Sequence, residues 1–279
     1  MGVRARHKGR STLGKAVLVF TIAGVALAMA APLVWMLLGS VRTDSEIITA
    51  PFAWPAVWHW DQWQRAWNDG NLGQYGWNSL AVTLLTVAGV VLFGAGAAYP
   101  LARCELATPR LLAVYLLGLI VPSQAAVVPM FLLLRTLHLL DTWWALVLPY
   151  IAWNLPFAVL VYYGFFRSQS REPEEAARLD GCEVLTLFTR VALPLAAPAT
   201  GVVAVITALG TWNEFLFALL FVHSDSAKTL PLGLLAFSSA HMSDYGLTFA
   251  ALALMSLPLL LLYVLVQRTL IEGSAAVAA

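Results

Sequence analysis

Trp212, Asn213 and Glu214 stand side by side inside a long apolar run, and they are the residues of this chain best placed to do chemistry. Glu214 is the one acid inside a predicted span. An ionised carboxylate at the bilayer centre costs roughly 2.5–3.5 kcal/mol on insertion scales. A wet pathway, or a position nearer the outer interface, must offset that cost. With Asn213, Trp212 and the neighbouring Phe215, Glu214 offers hydrogen bonds and a stacking face to a polyol. The plainer reading is a helix–helix hydrogen bond that holds an outer gate. Both stay open, and both put Asn213 and Glu214 in the outer half of a pathway. A third alternative is an ion-coupled carrier that titrates Glu214, for which inverted repeats are the expected companion; none is visible in the sequence.

Other chemistry finds little support. Gly9, four residues, Gly14 and Lys15 approach a phosphate loop. Ala16 stands where the Mg²⁺-ligating hydroxyl belongs, and an apolar run follows where a strand, loop and helix are required. Cys104 and Cys182 have no Cys or His at metal-ligand spacing and read as small, half-buried residues. No Ser/His or His/Asp/Glu cluster marks the end of any apolar run, so a membrane-embedded enzyme lacks a site. The chain is expected to hold no metal or cofactor of its own.

The elements that position these residues follow from composition. Charged residues make up 11% and apolar ones 60%, against roughly 25% and 45–50% in soluble domains. A chain this apolar takes the bilayer as its solvent, and a formal net charge of +1 gives no reason to expect nucleic acid as a partner. Six spans are expected, at about 16–40, 75–102, 111–134, 142–166, 195–222 and 247–266, each long enough for a hydrocarbon core of about 30 Å. Residues 1–15 form a basic arm ahead of a single transmembrane domain, 16–279. The first apolar run is too long for a signal-peptide core of roughly 7–15 residues, so it is read as an uncleaved helix. Pro122, Gln124 and Pro129 in the third span, and Pro149, Asn154 and Pro156 in the fourth, free backbone groups that only neighbouring helices, side chains or water satisfy. Those helices bend and line the interior, with Gln124 and Asn154 as pathway candidates. Gly94 and Ala98, with Gly96 and Ala97, predict close helix packing in the second span.

Six of the eleven tryptophans fall near residues 42–77. Trp60, Trp63 and Trp67 share one helical face, with Asp61, Gln62, Gln64 and Arg65 on the others, as in a helix anchored among the headgroups.

One polar stretch, 171–194, separates two apolar runs. Pro173 presets a first helical turn and Glu174 with Glu175 place negative charge at its N-terminus. Gly181 stops it by taking a left-handed conformation. A second short helix follows with Val184, Leu185, Leu187, Phe188 and Val191 as apolar members, broken by Pro194. With six spans and both termini inside, the cytoplasmic side carries twelve basic residues and the outer side four. That asymmetry places 171–194 in the cytoplasm.

The pattern Glu175-Ala176-Ala177, three residues, Gly181, nine residues, Val191, one residue, Leu193-Pro194 resembles the EAA loop of binding-protein-dependent ABC importer permeases. Asn78-Ser79, Tyr99-Pro100-Leu101-Ala102-Arg103, Trp212-Asn213-Glu214-Phe215 and Thr229-Leu230-Pro231-Leu232-Gly233 resemble the carbohydrate, MalG-like branch. Val191 stands where that loop usually has isoleucine, and the tail lacks the family's closing Lys-Gly. The resemblance implies an all-α permease of the type I importer fold in a bacterial inner membrane. It implies a second, different permease chain, two ATPase subunits that bind ATP and Mg²⁺, and an extracytoplasmic solute-binding protein that delivers a sugar or similar polyol. It makes Glu174, Glu175, Ala176, Ala177, Leu179, Asp180 and Gly181 the ATPase-coupling residues.

Overall fold

The computed structural model describes residues 12–103, 109–237 and 244–278. Most of the basic arm, and Cys104, lie outside the described residues. Every element among the described residues is helical: α1 (Thr12–Gly39), α2 (Asp44–Thr49), α3 (Asp61–Asp69), α4 (Leu72–Arg103), α5 (Pro109–Leu117), α6 (Ser123–Thr136), α7 (Trp144–Ser168), α8 (Glu172–Leu179), α9 (Val184–Leu187), α10 (Leu193–Leu195), α11 (Ala197–Trp212), α12 (Leu216–Phe221), α13 (Leu230–Gly233) and α14 (Tyr245–Ala278). A π-helical turn, Phe188–Ala192, joins α9 to α10. Three helices are by themselves long and apolar enough to cross a membrane: Lys15–Gly39 within α1, α4 and α7.

The centre of the molecule is the α4–α7 pair, with α11 packed against both. Small residues let the first two approach. A Cβ added at Gly94 would lie 2.7 Å from the Ala158 Cβ, and one at Gly89 would collide with Ile151 Cδ1. Gly96, expected to share this role, faces open space. The two glycines therefore respond oppositely to alanine. Gly94→Ala is expected to destabilise the chain by about 1–3 kcal/mol through overpacking. Gly96→Ala is expected to stabilise it by up to about 1 kcal/mol through helix propensity. Thermal unfolding in detergent reads both signs.

Two apolar runs break where unbroken spans were expected. The third run divides into α5 and α6, because Pro122 adopts an extended backbone (ψ 136°) before the α6 start and has no N–H to continue a helix. The fifth run bends by 75° between Leu195 and Ala197 and breaks again at residues 213–215. Pro194 lies in α10, which continues the π-helical turn without a break, and its missing N–H removes one bond of that ladder two residues before the bend.

At one end of the bundle the connections fold back on the helices. α2 opens with a capping box between Thr43 and Glu46. Its C-terminal carbonyls are taken by Arg42, which is buried and donates to Glu46 O and Ala50 O at 2.6 Å each. Gln62, expected on a polar face of α3, is buried and donates to Arg42 O at 2.7 Å. Of the tryptophan trio, Trp60 and Trp67 are exposed, while Trp63 is half-buried and donates to Ser40 Oγ at 3.1 Å. α13 is buried against α4: Asn78 Nδ2 donates to Ser226 O (3.0 Å) and Lys228 O (2.8 Å), and Ser79 Oγ accepts from Leu230 N (2.8 Å). These side chains satisfy backbone groups that an irregular segment buried against a helix cannot leave bare.

Candidate functional site

At the other end stands α8. Glu172, Glu174 and Glu175 occupy its first turn with Pro173, and Arg178 its last, an arrangement that complements the helix dipole at both termini. Asp180 caps the helix and Gly181 follows at φ +82°. Gly181 N–H donates to Arg178 O and Cys182 N–H to Ala177 O, both at 3.0 Å, the bond pair of a Schellman motif. Space does not demand the glycine, since a Cβ there would meet nothing within 4 Å; the left-handed backbone does.

The two faces of α8 differ. Ala177 is half-buried and packs against the core. Glu175, Ala176 and Asp180 are exposed, and Leu179 is 90% exposed. The apolar patch continues across the Gly181 turn, where Val184 is 75% and Leu185 72% exposed. Leu187 alone of the second helix is buried. Exposed leucine and valine thus sit beside carboxylates across two short helices.

Glu174, named with the coupling residues by resemblance, does not share the exposed face. It is 5% exposed. Its carboxylate accepts from Tyr99 Oη (3.0 Å) and Arg103 Nε (2.9 Å), with Arg103 Nη2 also at 2.9 Å. The buried ion pair is thus hydrogen-bonded on both oxygens, the condition under which a carboxylate tolerates burial. Tyr99 and Arg103 stand one turn apart near the C-terminal end of α4, a spacing that puts both on one helical face.

The Glu214 region resolves differently from a bare intramembrane acid. Its carboxylate accepts from Tyr150 Oη (2.5 Å), Phe217 N (2.9 and 3.1 Å) and Ala218 N (3.3 Å). It therefore caps α12 and ties that helix to the buried Tyr150 of α7. Asn154 lies one turn along α7 and donates to Tyr150 O at 2.8 Å. Asn213 is exposed and bonded to its own helix at Leu209 O, and Phe215 is exposed beside it. Trp212 turns away from this group: it is buried and donates to Met255 O of α14 at 3.3 Å. Gln124 is exposed at the start of α6. Glu214→Ala removes a cap and leaves a buried phenol unpaired, and is expected to cost about 1–3 kcal/mol. Glu214→Gln keeps an acceptor and is expected to cost less; thermal unfolding of both variants ranks them.

A rim of charged contacts surrounds the α12–α13 connection. Asp141 Oδ1 accepts from His223 N (2.5 Å) and Ser224 N (2.8 Å), and those backbone donors hold its carboxyl below the usual carboxylate range. Asp225 accepts from Lys228 Nζ (2.7 Å) and Tyr75 Oη (2.9 Å). Among the described residues no group of His, Cys, Asp and Glu could hold a metal ion.

Residues 91–272 match the family described as "Binding-protein-dependent transport system inner membrane component". The probable ABC transporter permease protein YurM of Bacillus subtilis is 36% identical over 250 residues, covering 89% of this chain and 83% of that protein. The diacetylchitobiose uptake system permease protein NgcG of Streptomyces coelicolor is 38% identical over 246 residues, covering 87% and 81%. A crystal structure of a bacterial ABC transporter involved in import of the acidic polysaccharide alginate superimposes with TM-score 0.80 at 20% identity, covering 96% of this chain and 99% of that one.

Proposed function

This chain belongs to the binding-protein-dependent transport system inner membrane components, and from that premise we propose that it is the permease of an ATP-driven sugar importer whose motor docks on α8. The solute is an oligosaccharide or similar polyol, as in the diacetylchitobiose system of its relative, delivered by an extracytoplasmic solute-binding protein. A second, different permease chain completes the pathway, and two ATP-binding subunits hydrolyse ATP beneath it. The chain crosses the bacterial inner membrane six times with both termini in the cytoplasm. Three unbroken helices account for half of those crossings, and the α5–α6, α11–α12 and α14 segments are assigned the other three.

The observation that carries the reading is the exposed apolar surface formed by Leu179 at the end of α8 and by Val184 and Leu185 across the Gly181 turn. An apolar surface at the end of a membrane bundle, flanked by acids, is a docking face for a soluble partner. The ion-carrier alternative needs a free carboxylate, whereas Glu214 is committed to Tyr150, Phe217 and Ala218.

Purification from native membranes tests the proposal. The expected preparation contains ATP-binding subunits and a second permease, and hydrolyses ATP. A chain that purifies alone and moves sugar down an ion gradient without ATP contradicts it.

A further inference from the structure

The geometry around Glu174 assigns a role to three side chains outside the exposed face. We propose that Glu174, Arg103 and Tyr99 form a buried latch that makes α8 one rigid body with α4 and α7, so that displacement of α8 moves those two helices without slack. This rests on the reading of α8 as the motor's docking helix, and deepens it by naming what lies on the far side of the joint.

The latch joins four elements. Arg103 donates to Glu174 of α8 through Nε and Nη2, and Nη1 and Nη2 both reach Gln169 O, 3.4 Å away at the C-terminal cap of α7. Tyr99 donates to the other carboxylate oxygen. Its ring packs edge-on against Phe166 of α7 (centroids 5.4 Å apart) and tilted against Phe188 of the π-helical turn (5.2 Å). Side-chain exposure of the ion pair is 5% and 6%, so water does not screen it as it would a surface pair. A guanidinium fork bonded to one carboxylate and one carbonyl fixes direction as well as distance. Such a joint resists both sliding and rotation. Neither Glu174 nor Arg103 is available to another subunit, which separates them from Leu179 and Glu175 on the opposite face.

Continuity with the α4–α7 seam extends the rigid body. Gly94 sits against Ala158 one to two turns above the latch, and Tyr162 and Phe166 fill the space between. The chain changes direction elsewhere, by 75° between α10 and α11.

Nitroxide pairs test this in the assembled importer, with Cys104 and Cys182 replaced by serine. One label goes at Glu172 on α8, and the other at Leu84, on the exposed side of α4. Pulsed dipolar spectroscopy reads the distance with and without ATP plus orthovanadate. The latched chain gives one narrow distribution that is the same in both states. Glu174→Gln broadens it without nucleotide and lowers ATP-driven uptake by about tenfold, and Tyr99→Phe, which removes one hydroxyl and keeps the ring, gives a smaller broadening. If Glu174→Gln fails to assemble, Tyr99→Phe carries the test. A distribution as narrow in the variants as in the parent overturns the latch, as does a parent distance that shifts by more than about 3 Å with nucleotide, a displacement larger than packed helices accommodate by shear. Absence of ATP-binding subunits from the parent preparation sinks the docking reading instead, and leaves the nucleotide-free comparison to decide the latch.

Discussion

Replacing Arg103 by alanine is expected to destabilise the chain by about 3–5 kcal/mol, the cost of stranding a buried charge without its partner. Glu174 would keep the Tyr99 hydroxyl, at 3.0 Å, with Arg178 near that phenol, while remaining enclosed by α4, α7 and the π-helical turn. Arg103→Lys retains a charge but not the fork that reaches Glu174 and Gln169 together, and is expected to fall between alanine and the parent. The double variant Arg103→Ala/Glu174→Ala removes both charges. It is expected to lose less than the two single losses added, because no ion is then left unpaired. Thermal unfolding of the detergent-solubilised chain across the four variants measures the coupling. Additive losses would show that the pair does not act as a unit.

Gly181→Trp is expected to separate stability from function. The position is exposed, and a side chain there meets nothing within 4 Å, so the penalty is conformational: about 1–2 kcal/mol for a non-glycine residue held at positive φ. A bias of that size is a factor of about 5–30 between two conformers. Two hydrogen bonds depend on the left-handed turn, from Gly181 and Cys182 to Arg178 and Ala177. When they open, the end of α8 frays and Leu179 and Leu185 lose their common surface. ATP-driven uptake is therefore expected to fall by about 5–30-fold with little change in unfolding temperature. Uptake equal to the parent's would show that the Gly181 turn does not hold the docking face.

The same helix shows how far sequence reasoning reaches. Pro173, the glutamates and Gly181 announce the start and stop of α8 because caps are local chemistry, satisfied within a few residues. Which way Glu174 points is not local. Glu174 and Glu175 are adjacent acids, yet one enters the core and the other faces out, since successive helical positions lie about 100° apart. Only the facing Tyr99 and Arg103, more than 70 residues earlier, decide between them. Gln62 is a parallel case: its polarity placed it on the outside, and a single backbone carbonyl, Arg42 O, draws it in. Pro122 was legible as a bend in the third run, and the structure makes it a break. Pro194 was read as a breaker, and the 75° bend falls two residues on, between Leu195 and Ala197. Proline marks where hydrogen bonds are missing; packing decides whether the helix kinks there. At Glu214 the sequence left a polyol contact and a helix–helix bond open. The carboxylate's three partners favour the second, while Asn213 and Phe215 are exposed.

Site-directed cross-linking from α8 in the intact assembly tests the central claim most directly. Thiols placed singly at Leu179 and Leu185 are predicted to join covalently to an ATP-hydrolysing subunit, whereas a thiol at Ser226, at the opposite end of the bundle, is not. Cross-linking of Ser226 but neither leucine to that subunit, or capture of the solute-binding protein through Leu179, would contradict the account.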